Sequence, residues 1–210
     1  SGGPVWSERF YGHRRDGRPF FVLQLLNGGQ GARPEKDGVS AVSFPNNVAT
    51  IPTELLEDGV PLLVERKGLR MDSGGAGRTR GGLGQEFRVR VLEDISGEIT
   101  LSIRADRTRN PAPGLFGGQP GAVGRITRNR HESLAAKKPV QIRAGDVITW
   151  ELAGGGGYGD PLERDPQQVL IDVRDGLVSL AHARDRYAVV VRQEGQTYIV
   201  DRAATAAARA

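Results

Sequence analysis

The glycine-rich segment Asp72–Gly84, DSGGAGRTRGGLG, carries the residue types that are most easily connected with ligand chemistry. Successive backbone N–H groups in such a loop can form a nest that binds an anion. Arg78 and Arg80 lie within it, and guanidinium groups make bidentate contacts with phosphate or carboxylate. The segment does not match the P-loop pattern, because no Lys follows a glycine there. Two interpretations stay open: an anion-contacting loop, or tight turns whose arginines pair with nearby acids.

A second cluster of glycines, GGGGYG, begins at Gly154. Gly154, Gly156 and Gly159 formally satisfy the dinucleotide-binding pattern G-x-G-x-x-G, and a predicted strand precedes them. That fingerprint also needs a helix opening at the last glycine, whereas Asp160 and Pro161 follow here, and a proline disfavours helical geometry in its predecessor. We therefore interpret these glycines as a structural turn at which backbone segments approach closely, with Asp160 accepting hydrogen bonds from backbone N–H groups.

Catalytic side chains are sparse. Ser73 lies in the first glycine loop but has no recognisable base, so the sequence does not predict a serine nucleophile. The histidines are far apart, and none has a second ligand at the spacing typical of a zinc site. They are His13, His131 and His182. We expect each of them to be a surface or packing residue.

Three carboxylates surround a predicted short helix, namely Glu54, Glu57 and Glu65. A carboxylate metal site is conceivable, but Arg66 and Lys67 follow directly, and we expect salt bridges instead. The sequence therefore predicts no metal site in this chain, and the catalytic residues stay unknown.

Composition narrows the classes of protein to which the chain can belong. There are no cysteines, which excludes disulfides, thiolate metal sites and a cysteine nucleophile. No apolar run approaches the roughly 20 residues that a membrane-spanning helix needs. Glycine accounts for 30 of 210 residues and falls in clusters without a collagen-like period, which indicates many special turns. We expect a cytoplasmic protein without a membrane partner.

Two basic segments stand out in a chain of net charge +4, Arg104–Asn110 (RADRTRN) and Arg125–His131 (RITRNRH). They are either solvated loops or parts of a site for a polyanion. Aromatic residues make up only 6% of the chain, too few for an obvious base-stacking platform. The sequence therefore does not predict a nucleic-acid partner.

Runs in which apolar and polar residues alternate are typical of half-buried strands. Phe20–Asn27 is one such strand, more apolar than alternating. Pairs of runs separated by turn residues predict three hairpins, over Glu86–Ala105, Pro139–Leu152 and Tyr187–Asp201. In the Pro- and Gly-rich segment NPAPGLFGGQPG we expect ordered turns, with Leu115 and Phe116 packed into the core.

Helix signals are concentrated after residue 160, apart from one short turn at Pro52–Gly59. Asp165 before a proline and Ser179 before an apolar-periodic run are N-cap signals. Strands first and helices last predict an α+β fold, with a β-rich body of antiparallel hairpins and a small C-terminal helical region. We place the boundary at the glycine run. Residues 1–153 then form the β-rich body with Gly-rich loops, and residues 154–210 form a Gly-rich turn followed by short helices and a hairpin.

The segment Asn46–Gly84, NNVATIPTELLEDGVPLLVERKGLRMDSGGAGRTRGGLG, closely resembles the hydantoinase B/oxoprolinase family. Other segments fall in the family's order at compatible spacing. They are GGQGARPEKDG, GLFGGQPG, GGGGYGDPLERDP and DVRDGLVSLAHARDRYAVVV. Each piece alone is a weak signal, but the combination is highly specific and spans nearly the whole chain.

The resemblance implies a subunit of a hetero-oligomeric, ATP-dependent enzyme. Such B-type subunits work with an A-type subunit that binds ATP. The pair either opens cyclic amides or adds a carboxyl group to ketones, in both cases through an activated, phosphorylated oxygen. The matched motifs belong to the C-terminal part of a B-type subunit, and a divalent metal is expected in the N-terminal part. The resemblance therefore implies that this chain binds no cofactor alone and carries no complete active site.

The same resemblance suggests which residues lie at a substrate or partner edge: Asn47, Asp72, Ser73, Arg78 and Arg80. Three functions follow from it. The first is ring opening of a hydantoin, 5-oxoproline or lactam. The second is an acetone- or acetophenone-type carboxylation. The third is a scaffold domain without chemistry of its own.

Overall fold

A computed structural model describes residues 3, 5–43 and 48–210 of the chain. Its eleven described strands are β1 (Trp6–His13), β2 (Pro19–Leu26), β3 (Leu62–Leu69), β4 (Gln85–Val91), β5 (Ile99–Ser102), β6 (Arg125–Arg128), β7 (Glu132–Ser133), β8 (Pro139–Ile142), β9 (Val147–Glu151), β10 (Val191–Glu194) and β11 (Thr197–Val200). The described helices are α1 (Thr53–Gly59), α2 (Pro166–Arg174), α3 (Leu180–Tyr187) and α4 (Arg202–Arg209), with a short 3₁₀ turn at Pro161–Glu163.

Two antiparallel sheets form the body of the molecule, in the orders β2-β1-β5-β8 and β3-β4-β9-β6-β7. A separate pair, β10-β11, lies among the C-terminal helices. All paired strands described are antiparallel. The predicted α+β class, with a β-rich body and mostly C-terminal helices, is therefore confirmed.

The two large sheets bury one hydrophobic core between them. Because successive side chains of a strand point to opposite faces, Phe10 of β1 and Phe87 of β4 point into the core. Both rings pack on Trp150 of β9, with ring centroids 5.9 and 5.8 Å from that of the indole. Ile99 and Ile148, which are fully buried, belong to the same cluster although their strands lie in different sheets. The body is therefore a sandwich built by apolar side chains.

Two of the three predicted hairpins are wrong. The strands β4 and β5 lie in different sheets, because β4 pairs with β3 and β9 whereas β5 pairs with β1 and β8. The strands β8 and β9 are separated in the same way. Both short connections are corners that carry the chain from one sheet to the other. Alternation cannot distinguish these cases, since strands facing each other across a core show the same pattern as hydrogen-bonded neighbours.

The third predicted hairpin is confirmed, with Glu194 opposite Thr197 in the β10-β11 pair. The N-cap signals are confirmed as well. The Asp165 carboxylate accepts a hydrogen bond from the Gln167 N–H at 2.9 Å, and the Ser179 hydroxyl accepts one from the His182 N–H at 3.1 Å. These caps satisfy N–H groups that lack partners within the helix, which explains why α2 and α3 begin there.

The C-terminal elements bury a second, smaller hydrophobic cluster. Its buried members are Ala76, Val169, Val173, Val178, Ala183, Tyr187 and Val189. Ala76 comes from the first glycine loop, so this cluster joins the helical region to the body. The division into residues 1–153 and 154–210 stays a prediction.

The expectation that Leu115 and Phe116 fill the core is wrong. Phe116 is 78% exposed and has a φ of +51°, and its ring lies 5.0 Å from that of Tyr158. The segment is held by its backbone instead. The Leu115 N–H donates to the Gly157 carbonyl, and the Gly159 N–H donates to the Leu115 carbonyl, each at 3.0 Å.

Across the described residues, the helices are too short and too polar for any of them to cross a bilayer.

Candidate functional site

The two glycine-rich segments lie side by side in the structure. Together with residues 28–32 and 113–121 they form an assembly of closely packed backbone with a buried centre, called here the glycine bundle (residues 28–32, 73–84, 113–121 and 153–159). The segment starting at Gly154 runs between the others. Its Gly155 N–H donates to the Gly82 carbonyl and its carbonyl accepts from the Gly75 N–H, both at 2.8 Å. The Ala32 N–H donates to the Gly156 carbonyl at 2.9 Å.

Side chains have no room at the middle of this bundle. A Cβ added to Gly154 would overlap the Ser73 carbonyl, and one added to Gly155 would overlap the Gln30 carbonyl. Gly156 faces the Pro113 carbonyl at the same close range. Glycine is required here because backbone meets backbone directly, whichever conformation each residue adopts.

Most amide groups of the first loop are already occupied. The Gly81 and Gly82 N–H groups donate to the Gly75 and Gln30 carbonyls at 2.9 and 2.8 Å, and the Arg80 N–H donates to the Asp37 carboxylate at 2.7 Å. The Gly84 N–H donates to the Ser73 hydroxyl at 3.0 Å. These particular groups are therefore not available to a ligand, and the anion-contacting loop stays a prediction.

At the end of the second cluster the chain turns sharply. Gly159 has a φ of +73°, and its added Cβ would meet the side chain of Arg78. The Asp160 carboxylate then accepts a hydrogen bond from the Leu162 N–H at 2.9 Å and caps the 3₁₀ turn. The structure thus places Gly154, Gly156, Gly159 and Asp160 in one continuous backbone-packed exit from β9.

Arg80 belongs to a buried network of charges between the bundle and the C-terminal helices. Its Nε lies 3.3 Å from Asp172 Oδ1, and its Nη1 donates to the Gly81 carbonyl at 2.8 Å. Arg164 holds Asp37 through two hydrogen bonds of 2.8 and 2.7 Å and reaches Asp172 at 2.8 Å. Both arginine side chains are about 95% buried, with exposures of 6% and 4%. Arg80 therefore pairs with acids inside the fold.

The pairing sets the protonation of the network. Burial opposes the charge of Asp37, but the hydrogen bonds and charge of Arg164 outweigh it and lower the pKa of Asp37. Burial likewise opposes the charge of Arg164, but Asp37 and Asp172 outweigh it and raise its pKa. Asp37 and Arg164 therefore stay ionised around neutral pH.

Arg78 differs from Arg80, because half of its side chain reaches solvent. Its Nη2 donates to the Pro34 carbonyl at 3.3 Å, and its Nη1 lies 3.6 Å from the Glu163 carboxylate. Its side chain is 47% exposed, so it is available at the surface. Ser73, by contrast, is fully buried, and its hydroxyl donates to the Arg70 carbonyl at 2.6 Å. Asn47 lies outside the described residues.

A polar cleft of about 240 Å³ opens where the glycine bundle meets α3. We call it the Asp72 cleft, lined by Asp72, His182, Arg186, Gln119 and the neighbouring glycine backbone. His182 Nδ1 lies 4.0 Å from Asp72 Oδ1, and the same oxygen accepts the Ser179 N–H at 2.7 Å. Asp72 has a φ of +61°, an uncommon conformation that Asp tolerates better than most residues.

The charges in the cleft suit proton transfer or the binding of an anion. Burial lowers the pKa of His182 below its usual value, and Arg186 adds to this, while Asp72 opposes it. The imidazole is then mostly neutral at pH 7 and can accept a proton. Arg186 supplies a positive charge in the same cleft. An imidazole, a carboxylate and a guanidinium thus converge on one small volume.

Sequence reasoning found Asp72 but not its histidine. His182 was expected to be a surface or packing residue because no second metal ligand lies at a suitable spacing, and its neighbour Asp72 lies 110 positions earlier in the chain. One local signal was present. Ser179 caps α3, so His182 lies in the first turn of the helix. It is therefore close to Asp72, which accepts a hydrogen bond from the Ser179 N–H. In the described part of the chain, no group of three or more His, Asp or Glu side chains is arranged to hold a metal ion.

Comparison with known proteins assigns the chain to a family. The model of the hydantoinase B/oxoprolinase family matches residues 1–161. The chain belongs to the hydantoinase B/oxoprolinase family. The resemblance carried by the glycine-rich segments is thereby confirmed.

Two relatives in this family are subunits of enzymes. The chain is similar to the caprolactamase subunit beta of Pseudomonas jessenii, with 38% identity over 90% of this chain and 33% of the relative. It is also similar to the acetophenone carboxylase delta subunit of Aromatoleum aromaticum, with 35% identity over 77% of this chain and 28% of the relative. The chain thus spans about a third of the length of these relatives.

Solved structures support the fold. The ATP-dependent caprolactamase from Pseudomonas jessenii matches 98% of this chain with a TM-score of 0.78 and 29% identity, over 38% of the solved chain. An acetone carboxylase matches 99% of this chain with a TM-score of 0.83 and 24% identity, over 33% of the solved chain. The second likeness concerns the fold alone.

Proposed function

We propose that this chain is the C-terminal domain of a B-type subunit of an ATP-dependent cyclic-amide hydrolase that opens hydantoin, 5-oxoproline or lactam rings. The observation that carries this proposal is the 38% identity to the caprolactamase beta subunit over 90% of the chain. A match of that extent covers the sandwich, the glycine bundle and most of the helical region together.

The domain's proposed part in the reaction is to hold the Asp72 cleft rigidly at one face of the assembly. The glycine bundle fixes the backbone on one side of the cleft, and the buried ion pairs of Arg80 and Arg164 fix the helical region on the other. Catalytic groups must be held within a fraction of an ångström, and a backbone-packed support suits that need. The exposed Arg78 would contact substrate or a partner nearby.

The remaining machinery would lie on other polypeptide. We propose that ATP binds an A-type subunit, and that a divalent metal binds the N-terminal part of the B-type subunit. The metal proposal rests on the family resemblance alone. The γ-phosphoryl group of ATP would be transferred to the amide oxygen and ADP released. Water then adds to the activated carbon, and the ring C–N bond breaks as the nitrogen takes a proton, which leaves an acyl phosphate. A second water hydrolyses this to the acid and phosphate. A complex of this kind would work in the cytoplasm, where ATP is supplied.

The proposal is tested with the complete complex, formed by co-expressing the A-type subunit with the full B-type subunit that contains this chain. We expect the substrates among the tested cyclic amides to be ring-opened. The reaction should hydrolyse ATP and should not need bicarbonate. Formation of the ring-opened acid is followed by chromatography, and phosphate release by a coupled assay. Turnover that requires bicarbonate would contradict the hydrolase proposal.

The carboxylase is kept as a second function because the acetophenone carboxylase delta subunit is 35% identical over 77% of the chain. Dependence on bicarbonate decides between the two reactions.

The scaffold alternative is tested in the same complex with His182→Gln and Arg78→Ala. We expect kcat/KM to fall at least about tenfold for His182→Gln, since general acid–base groups contribute about 10²–10⁴ in rate. Glu194→Gln, which changes an exposed side chain on β10 that does not line the cleft, is the control. If both variants keep full activity and normal Tm, the domain contributes structure only.

A further inference from the structure

A groove between the two sheets carries an excess of positive charge that the proposed function does not use. Three adjoining cavities of about 670, 510 and 470 Å³ share their walls. One wall is formed by residues 102–110 and the other by residues 133–139, with residues 124–127 at one end. The two walls are joined by a hydrogen bond from the Ala105 N–H to the Ala136 carbonyl, of 3.0 Å. We call this feature the basic groove.

Positive side chains dominate the lining. The groove contains one acid, Asp106, and six cations: Arg104, Arg107, Arg109, Arg125, Lys137 and Lys138. Asp106 forms a salt bridge with Lys137, whose Nζ lies 2.9 Å from Asp106 Oδ1. Arg107 donates to the Pro111 carbonyl at 3.4 Å.

The other four cations have no ion-pair partner among the residues that the structure describes, and all four are exposed. Elsewhere in the fold many arginines are paired, such as Arg66 with Glu86 at 2.6 Å and Arg143 with Glu98 at 2.6 Å. Unpaired like charges that share one depression repel each other, and an anionic ligand would relieve that repulsion. The basic segment Arg104–Asn110 is thus brought beside Lys137 and Lys138, far away in sequence.

The arrangement favours an extended ligand over a compact one. The cations are distributed along the walls of three cavities, whereas a phosphate group is bound by donors that converge on one point. The floor between them is made of small apolar residues such as Ala105 and Ala136, and no aromatic side chain lines the groove. A nucleobase would therefore find no stacking partner among these lining residues.

The edge of one sheet borders the groove. The strand β8 is the last in its sheet, and Pro139 at its start lines the groove. Because proline has no N–H, this end of the edge does not favour strand addition, and a ligand would be bound through its charges. We propose that the basic groove binds an extended, acidic polypeptide segment, whose carboxylates pair with the four free cations. This proposal does not depend on which reaction the assembly performs.

The test uses the whole 210-residue chain and a fluorescently labelled hexaglutamate peptide with blocked ends. Binding is followed by fluorescence anisotropy at low salt and at about 0.15 M salt, where the Debye length is about 8 Å. We expect binding at low salt that weakens at higher salt. The variant Arg109→Glu with Lys138→Glu should weaken binding at least about tenfold, which corresponds to about 1.4 kcal/mol for two reversed charges.

A matched control changes the net charge equally at another place. Arg15→Glu with Lys36→Glu reverses two exposed cations outside the groove, and its affinity should stay within about twofold of the unchanged chain. Thermal unfolding checks that each variant is folded. If the reversed groove variant does not fold, the neutral pair Arg109→Gln with Lys138→Gln replaces it, and a smaller loss is expected.

Three results would overturn the proposal. One is no measurable binding of hexaglutamate at low salt. A second is an equal loss in the groove variant and the control, which would show that only overall charge matters. The third is tighter binding of tripolyphosphate or oligo-dT than of hexaglutamate, lost in the groove variant, which would assign the groove to phosphate anions.

Discussion

The sandwich and the centre of the glycine bundle are both buried, but side chains pack the first and backbone packs the second. In the sandwich, rings such as Phe10 and Trp150 fill the space between sheets, and backbone groups pair within each sheet. In the bundle, side chains are absent at the centre, and carbonyls and amides of different segments meet directly, as at Gly155. The first is held mainly by apolar burial, and the second mainly by hydrogen bonds between close backbones.

The difference bears on how each region responds to change. A core of side chains can lose a methyl group and relax partly around the cavity, at a cost of about 1 kcal/mol. A backbone-packed region cannot accept even one added carbon, because moving the neighbouring carbonyl would break hydrogen bonds in another segment. We therefore expect the lowest tolerance of substitution in the glycine-rich segments.

The largest effect is expected for Gly155→Ala. The new Cβ would overlap the Gln30 carbonyl, so we expect a loss of more than about 4 kcal/mol in the free energy of unfolding, or no folded protein. Gly68→Ala in β3 is the matched control, because no atom lies within 4 Å of its added Cβ. Urea denaturation measures both. A Gly155→Ala variant as stable as the control would refute the description of the bundle.

The second prediction concerns the charges that fasten the bundle to the helices. Arg164→Met leaves Asp37 and Asp172 with only Arg80, and removing one partner of a buried pair costs about 3–5 kcal/mol. Arg143→Met, which breaks an exposed pair with Glu98, should cost less than about 1 kcal/mol. Equal losses in urea denaturation would show that the network contributes no more than a surface pair.

The third prediction addresses the sandwich, where Glu8 lies fully buried between Trp6 and Phe10 on β1. Among the described residues neither carboxyl oxygen has a partner in good hydrogen-bond geometry. Burial raises the pKa of Glu8 from 4.5 to about 8, and the nearby Trp150 indole and Arg104 backbone offset only part of this rise. The folded state therefore keeps a proton that the unfolded chain releases.

Stability should accordingly fall as the pH rises from about 4.5 to about 8, and then level off. The contribution of Glu8 to this fall is on the order of 5 kcal/mol, at 1.36 kcal/mol per pKa unit. Glu8→Gln removes this contribution. The variant should therefore become more stable relative to the unchanged chain as the pH rises from about 5 to about 8. Denaturation curves at both pH values measure the gain, and a difference that does not change with pH would contradict the prediction.

Local signals in the sequence predicted local structure well. Asp165 and Ser179 cap helices because a cap depends only on the next few residues. The pairing of β4 with β9 instead of β5 could not be predicted, because it depends on which sheet each strand joins after a corner. Alternation shows which face is buried but not which strand is the neighbour.

The candidate site was predictable only in part. The glycine clusters marked the place where segments meet, but not which segments they were. Arg80 and Asp172 are 92 positions apart, and Asp72 and His182 are 110 apart, so neither contact leaves a local signal. Phe116 misled because an apolar residue in a rigid turn was expected to be buried, whereas the turn is held by its backbone.

The family match ends at residue 161, but Arg164 and Asp172, which neutralise the charges of Asp37 and Arg80, lie beyond it. The stretch matched by the family model therefore leaves out residues that complete this network of charges. A protein trimmed at that edge would keep every glycine of the bundle, but Asp37 and Arg80 would have only each other, 4.0 Å apart, in place of their partners in the helical region.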